Sequence, residues 1–136
     1  MSKEKITIAY ISHDKNVNEK YLKPNLENLN GDFDVISIDD KFKPAENYNI
    51  LIEKSKTKYI LFVHEDTTFS SDLLGRINTT IDLKPDFGAI GIVGTTQDGK
   101  YHWGELDTIK EVQRLDGCCI LINKEHNLKF DSETFV

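Results

Sequence analysis

The sequence is poor in cysteine and proline and has no long apolar run. Its 136 residues include two cysteines and three prolines. The cysteines, Cys118 and Cys119, are neighbours, and neighbouring side chains on a strand point to opposite faces, so we expect no disulfide between them. Free thiols are typical of a reducing compartment, which predicts a cytoplasmic location. No apolar run approaches the roughly 20 residues of a membrane helix, so we expect no membrane span.

Positive charge is also scarce in this chain. Lysine and arginine together number 17 against 23 aspartates and glutamates, which gives a formal net charge of −6. A protein that binds nucleic acid through its backbone needs a basic surface, so we expect no nucleic-acid partner. A smaller phosphate ligand is compatible with this charge, because a metal ion or a helix N-terminus can supply positive charge locally.

Strand-like apolar segments alternate with segments of helical spacing along the chain. The strand-like segments are 5–12, 32–39, 58–63, 87–94 and 117–123, and the helical ones are 16–31, 45–56 and 70–83. This alternation predicts an α/β domain with a mostly parallel sheet and helices on both faces. Because no repeat or linker divides the sequence, we expect residues 1–136 to form a single domain.

Individual residues predict where these segments begin and end. Pro24 is expected to limit or kink the first helix, and Gly31 has the position of a helix C-cap. Ser70 and Ser71 are expected to cap the third helix. The polar stretch around Asp98-Gly99 is typical of a hairpin.

A cluster of polar side chains, His64, Glu65 and Asp66, directly follows the apolar run Tyr59–Val63. Ligands of parallel sheets bind beyond the carboxyl ends of the strands, so we expect this cluster in a binding crevice. An aspartate there can hold Mg²⁺ or Mn²⁺ against a phosphate, or it can be a phosphoacceptor nucleophile. The plain alternative is that Asp66 caps the next turn.

A receiver-type regulatory domain is one alternative for the whole chain. Such a domain carries an aspartate after its third strand, a hydroxyl residue after its fourth and a lysine after its fifth. Asp66, Thr95 and Lys124 fall near these places, and Asp14 follows the first strand. The stretch 100–114 is longer than the connections of that fold. A non-catalytic domain on a doubly wound sheet, with Asp66 as phosphoacceptor, therefore stays open as the second hypothesis.

Several motifs also occur together in one order. They are "PAENYN" at 44–49, "KYILFVHEDTTFSSDLLGRI" at 58–77, "GIVG" at 91–94, "VQRLDGCCILINKE" at 112–125 and "FDSETF" at 130–135. This series resembles family 2 glycosyltransferases with a GT-A fold. More narrowly, it is similar to the glycosyltransferase-like group associated with streptomycin biosynthesis, in which the usual Asp-x-Asp is written His-x-Asp.

The resemblance implies a Rossmann-like GT-A domain with the activity of a glycosyltransferase. Its ligands would be a nucleotide-diphospho-sugar donor with Mg²⁺ or Mn²⁺, and an unknown acceptor. Asp66 would hold the metal ion, with His64 in the place of a first carboxylate. Asp116 would be the candidate catalytic residue. The residues placed around the nucleotide sugar are Tyr10, Ser12, Asp39, Asp40, Asn49, Glu65 and Asp116.

The family has a further acidic motif after "FDExF", which supplies the general base for the acceptor hydroxyl. Here the sequence ends at Val136, directly after "FDSETF". A general base must reach the proton that it removes. We therefore expect a donor-binding domain that transfers sugar poorly or not at all, either as a C-terminally truncated piece of a longer enzyme or as a degenerate relative.

Overall fold

The structure, a computed structural model, describes residues 4–91, 93–95, 101–103, 114–115 and 119–130. It contains a main sheet of five strands and a smaller sheet of three strands, and the strands of the smaller sheet come between the last two strands of the main sheet in the sequence. The strands are β1 (Ile6–Ser12), β2 (Phe33–Asp39), β3 (Tyr59–Val63), β4 (Ala89–Gly91), β5 (Val93–Thr95), β6 (Tyr101–Trp103), β7 (Arg114–Leu115) and β8 (Cys119–Asn123).

The main sheet has the strand order β2-β1-β3-β8-β4. β1 pairs in parallel with both β2 and β3. β8 is antiparallel to β3 and to β4, so that four of the five strands run in one direction. This confirms the predicted α/β class and mostly parallel sheet. All five residues of β3 are buried, as expected for a strand that is covered on both faces.

Helices cover both faces of this sheet, as predicted. The first helical segment consists of α1 (Lys15–Val17), a π turn (Asn18–Leu22) and α2 (Lys23–Asn28), and it is followed along the chain by α3 (Pro44–Lys54), α4 (Leu73–Leu83) and a 3₁₀ turn (Lys124–His126). One apolar layer joins the sheet to the first helical segment and α4, and a second joins it to α3. In the described part of the chain, no helix is both long and apolar enough to cross a membrane.

Pro24 lies in the first turn of α2, where a helix needs no backbone donor at that position. The π turn stands immediately before it, and the Lys23 N–H donates to the Asn18 carbonyl five residues back. The expected interruption at Pro24 is therefore a widened turn inside a continuing helical segment. Gly31 lies two residues beyond the C-cap Leu29 and has a φ of +118°, a conformation that favours glycine.

Two local predictions were wrong. α4 begins at Leu73 with Asp72 as its N-cap residue, and no side chain caps its first turn. The Ser70 hydroxyl instead donates to the Asp72 carboxylate. The apolar segment 87–94 is not one strand, because β4 belongs to the main sheet and β5 to the smaller one.

The predicted hairpin is present in the pairing of two short strands. β5 and β6 are antiparallel, with Val93 opposite Trp103 and Thr95 opposite Tyr101. The Asp98-Gly99 turn that would connect them lies outside the described residues.

Candidate functional site

The carboxyl ends of three parallel strands meet at one edge of the main sheet. The last residue of β1, Ser12, lies opposite Asp39, the last residue of β2. The Asp40 N–H donates to the Ser12 carbonyl at 3.2 Å, which ties the two strand ends together. β3 runs beside β1 in the same direction and leads into His64. The predicted polar cluster therefore lies at the crevice end of the sheet.

Glu65 is the residue of this cluster that turns inward. It is only 5% exposed. Its Oε1 accepts hydrogen bonds from the backbone N–H groups of His13 at 2.5 Å and Asp14 at 3.0 Å. Its Oε2 is buried and has no hydrogen-bond partner among the described residues. Glu65 thus links the turn after β3 to the loop after β1.

Two opposing effects set the pKa of Glu65. Burial is the largest effect, and alone it would raise the pKa by disfavouring the charged form. The hydrogen bonds from the His13 and Asp14 N–H groups, together with the polar side chain of Asn18, outweigh it and lower the pKa below its ordinary value of 4.5. Glu65 is therefore a buried carboxylate that is ionised at neutral pH.

A second set of contacts joins the loops after β1 and β2. His13 Nδ1 lies 2.9 Å from Asp40 Oδ2. Asn47 of α3 is fully buried, and its Nδ2 donates to Asp40 Oδ1 at 3.3 Å and to the Phe42 carbonyl at 3.1 Å. The sequence reasoning missed both His13 and Asn47. A signal existed for Asn47, which lies four residues before the buried Leu51 and therefore on the same inward face of α3.

Backbone donors at the start of the first helical segment are already occupied by carboxylates. Asp14 Oδ1 accepts from the N–H groups of Asn16 at 2.9 Å and Val17 at 3.4 Å. Glu65 takes the N–H groups of His13 and Asp14. Many nucleotide-binding α/β folds place phosphate oxygens on N–H groups at this helix start. In this chain those donors are taken by negative groups, so a diphosphate needs positive charge from another source.

His64 and Asp66 flank Glu65 and are both exposed. A hydrogen-bonded turn holds them: the Thr67 N–H donates to the His64 carbonyl, and the His64 N–H donates to Thr67 Oγ1, each at 3.0 Å. Within the described ranges, no three His, Cys, Asp or Glu side chains form a group that could hold a metal ion. Asp66 offers the oxygen ligand that Mg²⁺ and Mn²⁺ prefer, whereas the His64 imidazole is a less favourable ligand for these ions. Phosphate and water would have to supply the other ligands of such an ion.

The remaining predicted site residues have different surroundings. Tyr10 is half-buried and packs against the apolar layer of α4. Asp39 is exposed at the end of β2, next to the half-buried Ser12. Both polar groups of the Asn49 side chain contact Phe130: Nδ2 donates to its carbonyl at 2.9 Å, and Oδ1 accepts from its N–H at 2.7 Å. Asp116 lies outside the described residues.

The position of Lys124 contradicts the receiver hypothesis. β8 is antiparallel to β3, so Asn123 at its end lies opposite Tyr59, the first residue of β3. The Lys124 N–H donates to the Lys58 carbonyl, and its Nζ donates to the Ser55 carbonyl at 2.7 Å. Lys124 therefore lies at the opposite edge of the sheet from Asp66 and cannot pair with it.

Residues 7–131 match the glycosyltransferase-like family. The chain belongs to this family. Comparison with curated proteins gives no match. The family match covers the polar network at the strand ends, His64–Asp66 and the Asn49–Phe130 contact.

Solved structures show the same fold. S. aureus TarS 1–349 has a TM-score of 0.67 at 16% identity, over 97% of this chain and 52% of that one. The mannosyltransferase PcManGT from Pyrobaculum calidifontis, in complex with GDP-Man and Mn²⁺, has a TM-score of 0.66 at 10% identity, over 97% of this chain and 49% of that one. The fold is therefore GT-A-like, and the chain spans about half the length of these structures.

Proposed function

We propose that this domain binds a nucleotide-diphospho-sugar together with Mg²⁺ or Mn²⁺, as the donor for sugar transfer to an acceptor. The observation that carries the proposal is the exposed pair His64 and Asp66 at the ends of three parallel strands, beside backbone donors that carboxylates already occupy. Membership of the glycosyltransferase-like family supports it. Further support comes from the relatives, since TarS is solved with UDP-GlcNAc and PcManGT with GDP-Man and Mn²⁺.

Each side chain at this edge has a proposed part in binding. Asp66 supplies a carboxylate ligand to the ion, and His64 supplies an imidazole nitrogen. Asp39 and Asp40 approach the base or the ribose of the nucleotide, and Tyr10 and Ser12 lie under these groups. A divalent ion bound there neutralises charge on the diphosphate. For Asp116 we propose a contact with the donor sugar or the acceptor, and for the chain as a whole membership of the streptomycin-type group.

The local charge explains why the ion is needed in this proposal. The loops at the strand ends carry the carboxylates of Asp14, Asp39, Asp40, Glu65 and Asp66. Two negatively charged phosphates would meet repulsion from these groups, and the nearest backbone N–H groups are engaged. A divalent cation held by Asp66 would offset part of this repulsion. We therefore expect nucleotide-sugar binding to depend on the metal.

Asp66→Asn tests this proposal directly. A ligand at about a hundred times its Kd stabilises the native state by about 2.7 kcal/mol, which a thermal-shift assay detects. We expect UDP-GlcNAc or GDP-mannose, in a panel of nucleotide sugars, to raise the Tm of the parent chain with Mn²⁺ and not with EDTA. In Asp66→Asn the Mn²⁺-dependent rise is expected to disappear, while the Tm without ligand changes little because the residue is exposed.

The matched control is Asp82→Asn, the same change at an exposed position in the last turn of α4. It is expected to keep the full ligand-induced shift. Equal shifts in Asp66→Asn and the parent would contradict the metal assignment, and no shift with any nucleotide sugar would contradict the proposed function.

A further inference from the structure

We infer that Glu65 is a positioning residue, whose buried carboxylate holds the loop after β1 in place and fixes the outward direction of its neighbours His64 and Asp66. The contact between Glu65 and the loop stands on the geometry alone. Its consequence for ligand binding rests on the proposed function.

The burial of Glu65 is costly and is not explained by core packing. A carboxylate loses its hydration when it is buried, and paired or hydrogen-bonded partners must replace that hydration. Glu65 receives two backbone donors on Oε1, whereas Oε2 has no hydrogen-bond partner and no ion pair to Glu65 occurs in the described part of the chain. An apolar side chain would fill this place at lower cost. Only a side chain that accepts hydrogen bonds can hold the N–H groups of His13 and Asp14 at this place.

The hydrogen bonds of Glu65 connect the ends of β1 and β3 beyond the last backbone pair between these strands. The backbone pairing of β1 with β3 ends at Ala9 and Phe62. Beyond it, Glu65 Oε1 reaches the N–H groups of His13 and Asp14, which lie 52 and 51 residues away in sequence. The side chain therefore extends the connection between the strands by several residues into the crevice.

The effect of this contact spreads to both sides of Glu65. On one side, a fixed His13 backbone places the imidazole 2.9 Å from Asp40. On the other side, anchoring Glu65 inward sets the peptides that carry His64 and Asp66, which are the exposed residues of the same turn. Loss of the Glu65 contact should thus loosen the His13–Asp40 pair and the proposed metal ligands together.

The test compares four forms of the chain by NMR: the parent, Glu65→Gln, Glu65→Ala and the control Glu27→Gln. Glu27 is an exposed residue of α2, so the control repeats the chemical change away from the strand ends. In the parent at neutral pH, we expect the backbone amide protons of His13 and Asp14 to resonate downfield, because both N–H groups donate to a carboxylate oxygen. Glu65→Gln should move both signals upfield, because a neutral amide oxygen is a weaker acceptor than a carboxylate, and Glu27→Gln should leave them unchanged.

Amide hydrogen exchange gives the second readout. A glutamine oxygen can still accept both hydrogen bonds, so Glu65→Gln is expected to keep His13 and Asp14 protected. Glu65→Ala cannot, and we expect exchange at both amides to rise on the order of tenfold or more, as for the loss of a hydrogen bond to a charged group. Unchanged amide signals of His13 and Asp14 in Glu65→Gln, or exchange in a folded Glu65→Ala equal to that of the control, would overturn the inference. If Glu65→Ala does not fold, the amide signals of Glu65→Gln decide.

The ligand arm uses UDP-GlcNAc and GDP-mannose with MnCl₂, measured by calorimetry. We expect Glu65→Ala to raise the Kd on the order of tenfold and Glu65→Gln to restore most of the affinity. Faster amide exchange with an unchanged Kd would overturn the positioning role and leave the proposed function intact. If the parent binds neither probe, nor any other nucleotide sugar, the proposed function fails and the role in ligand binding fails with it, while the amide data still decide the loop contact.

Discussion

Asn49 holds the main chain of Phe130 through both of its polar groups. The change Asn49→Ala removes two hydrogen bonds and leaves the N–H and carbonyl of Phe130 without these partners. Each lost contact of this kind costs about 0.5–1.5 kcal/mol, and burial of the unpaired groups adds to that cost. We therefore expect the free energy of unfolding to fall by about 1–3 kcal/mol in urea denaturation.

Asn28→Ala is the control for this prediction, because Asn28 is an exposed residue at the end of α2. It is expected to change the stability by less than about 0.5 kcal/mol. The resemblance to glycosyltransferases assigns Asn49 a contact with the nucleotide instead. A variant Asn49→Ala with unchanged stability and lost nucleotide-sugar binding would favour that role over the contact with Phe130.

At the residue scale, the sequence predicted the location of the polar cluster and not the direction of each side chain. The fully apolar strand Tyr59–Val63 indicates where the crevice begins, so His64, Glu65 and Asp66 could be placed together. Which of them turns inward depends on backbone N–H groups 51 and 52 residues earlier in the chain. No local pattern carries that information, so the sequence alone does not distinguish Glu65 from its two neighbours.

At the scale of single elements, Gly31 and Gly75 give a matched pair of glycine-to-alanine changes. Gly31 follows α2 with a φ of +118°, and a Cβ there would lie 3.0 Å from Leu74 Cδ1. Gly75 lies within α4, where a Cβ would meet no atom within 4 Å. Gly31→Ala is therefore expected to destabilise the chain by more than about 1 kcal/mol, and Gly75→Ala to stabilise it by about 0.5–1 kcal/mol.

Urea denaturation of the two variants and the parent checks both signs in one experiment. Because the chemical change is the same, the difference between the variants reports the backbone conformation and the space around each glycine. A Gly31→Ala variant as stable as the parent would show that the turn into β2 accepts another conformation. A destabilised Gly75→Ala would contradict the open surroundings of α4.

The sequence does not determine in which direction a short strand runs or which strand it pairs with. β8 and β3 are both brief apolar segments, and nothing in their composition distinguishes a parallel from an antiparallel neighbour. The antiparallel pairing of Tyr59 with Asn123 moves Lys124 away from Asp66, which decided against the receiver hypothesis. The helices were easier to predict, since their apolar residues repeat at the spacing of a helical face.

At the scale of the whole molecule, the net charge of the chain is negative, and the ligand class that we propose for it is negative as well. The formal net charge is −6, and carboxylates occupy the backbone donors at the start of the first helical segment. An acidic protein attracts cations in general, but tight binding of one ion needs several ligands in fixed geometry. The described residues offer Asp66 and His64 without a third group of this kind nearby.

This arrangement predicts that metal and nucleotide sugar bind together and that the metal binds poorly alone. A neutral imidazole contributes no charge to the cation, so one carboxylate is the only charged ligand in the pair, and diphosphate oxygens must complete the coordination. In calorimetry, Mn²⁺ titrated into the free chain should give no saturable heat at micromolar protein, whereas the same titration with saturating UDP-GlcNAc or GDP-mannose should. Asp66→Asn should remove the second signal, and Asp82→Asn should keep it. The prediction is contradicted if the free chain binds Mn²⁺ tightly and saturably and Asp66→Asn abolishes this binding. Residues other than Asp66 and His64 would then complete the site without the nucleotide.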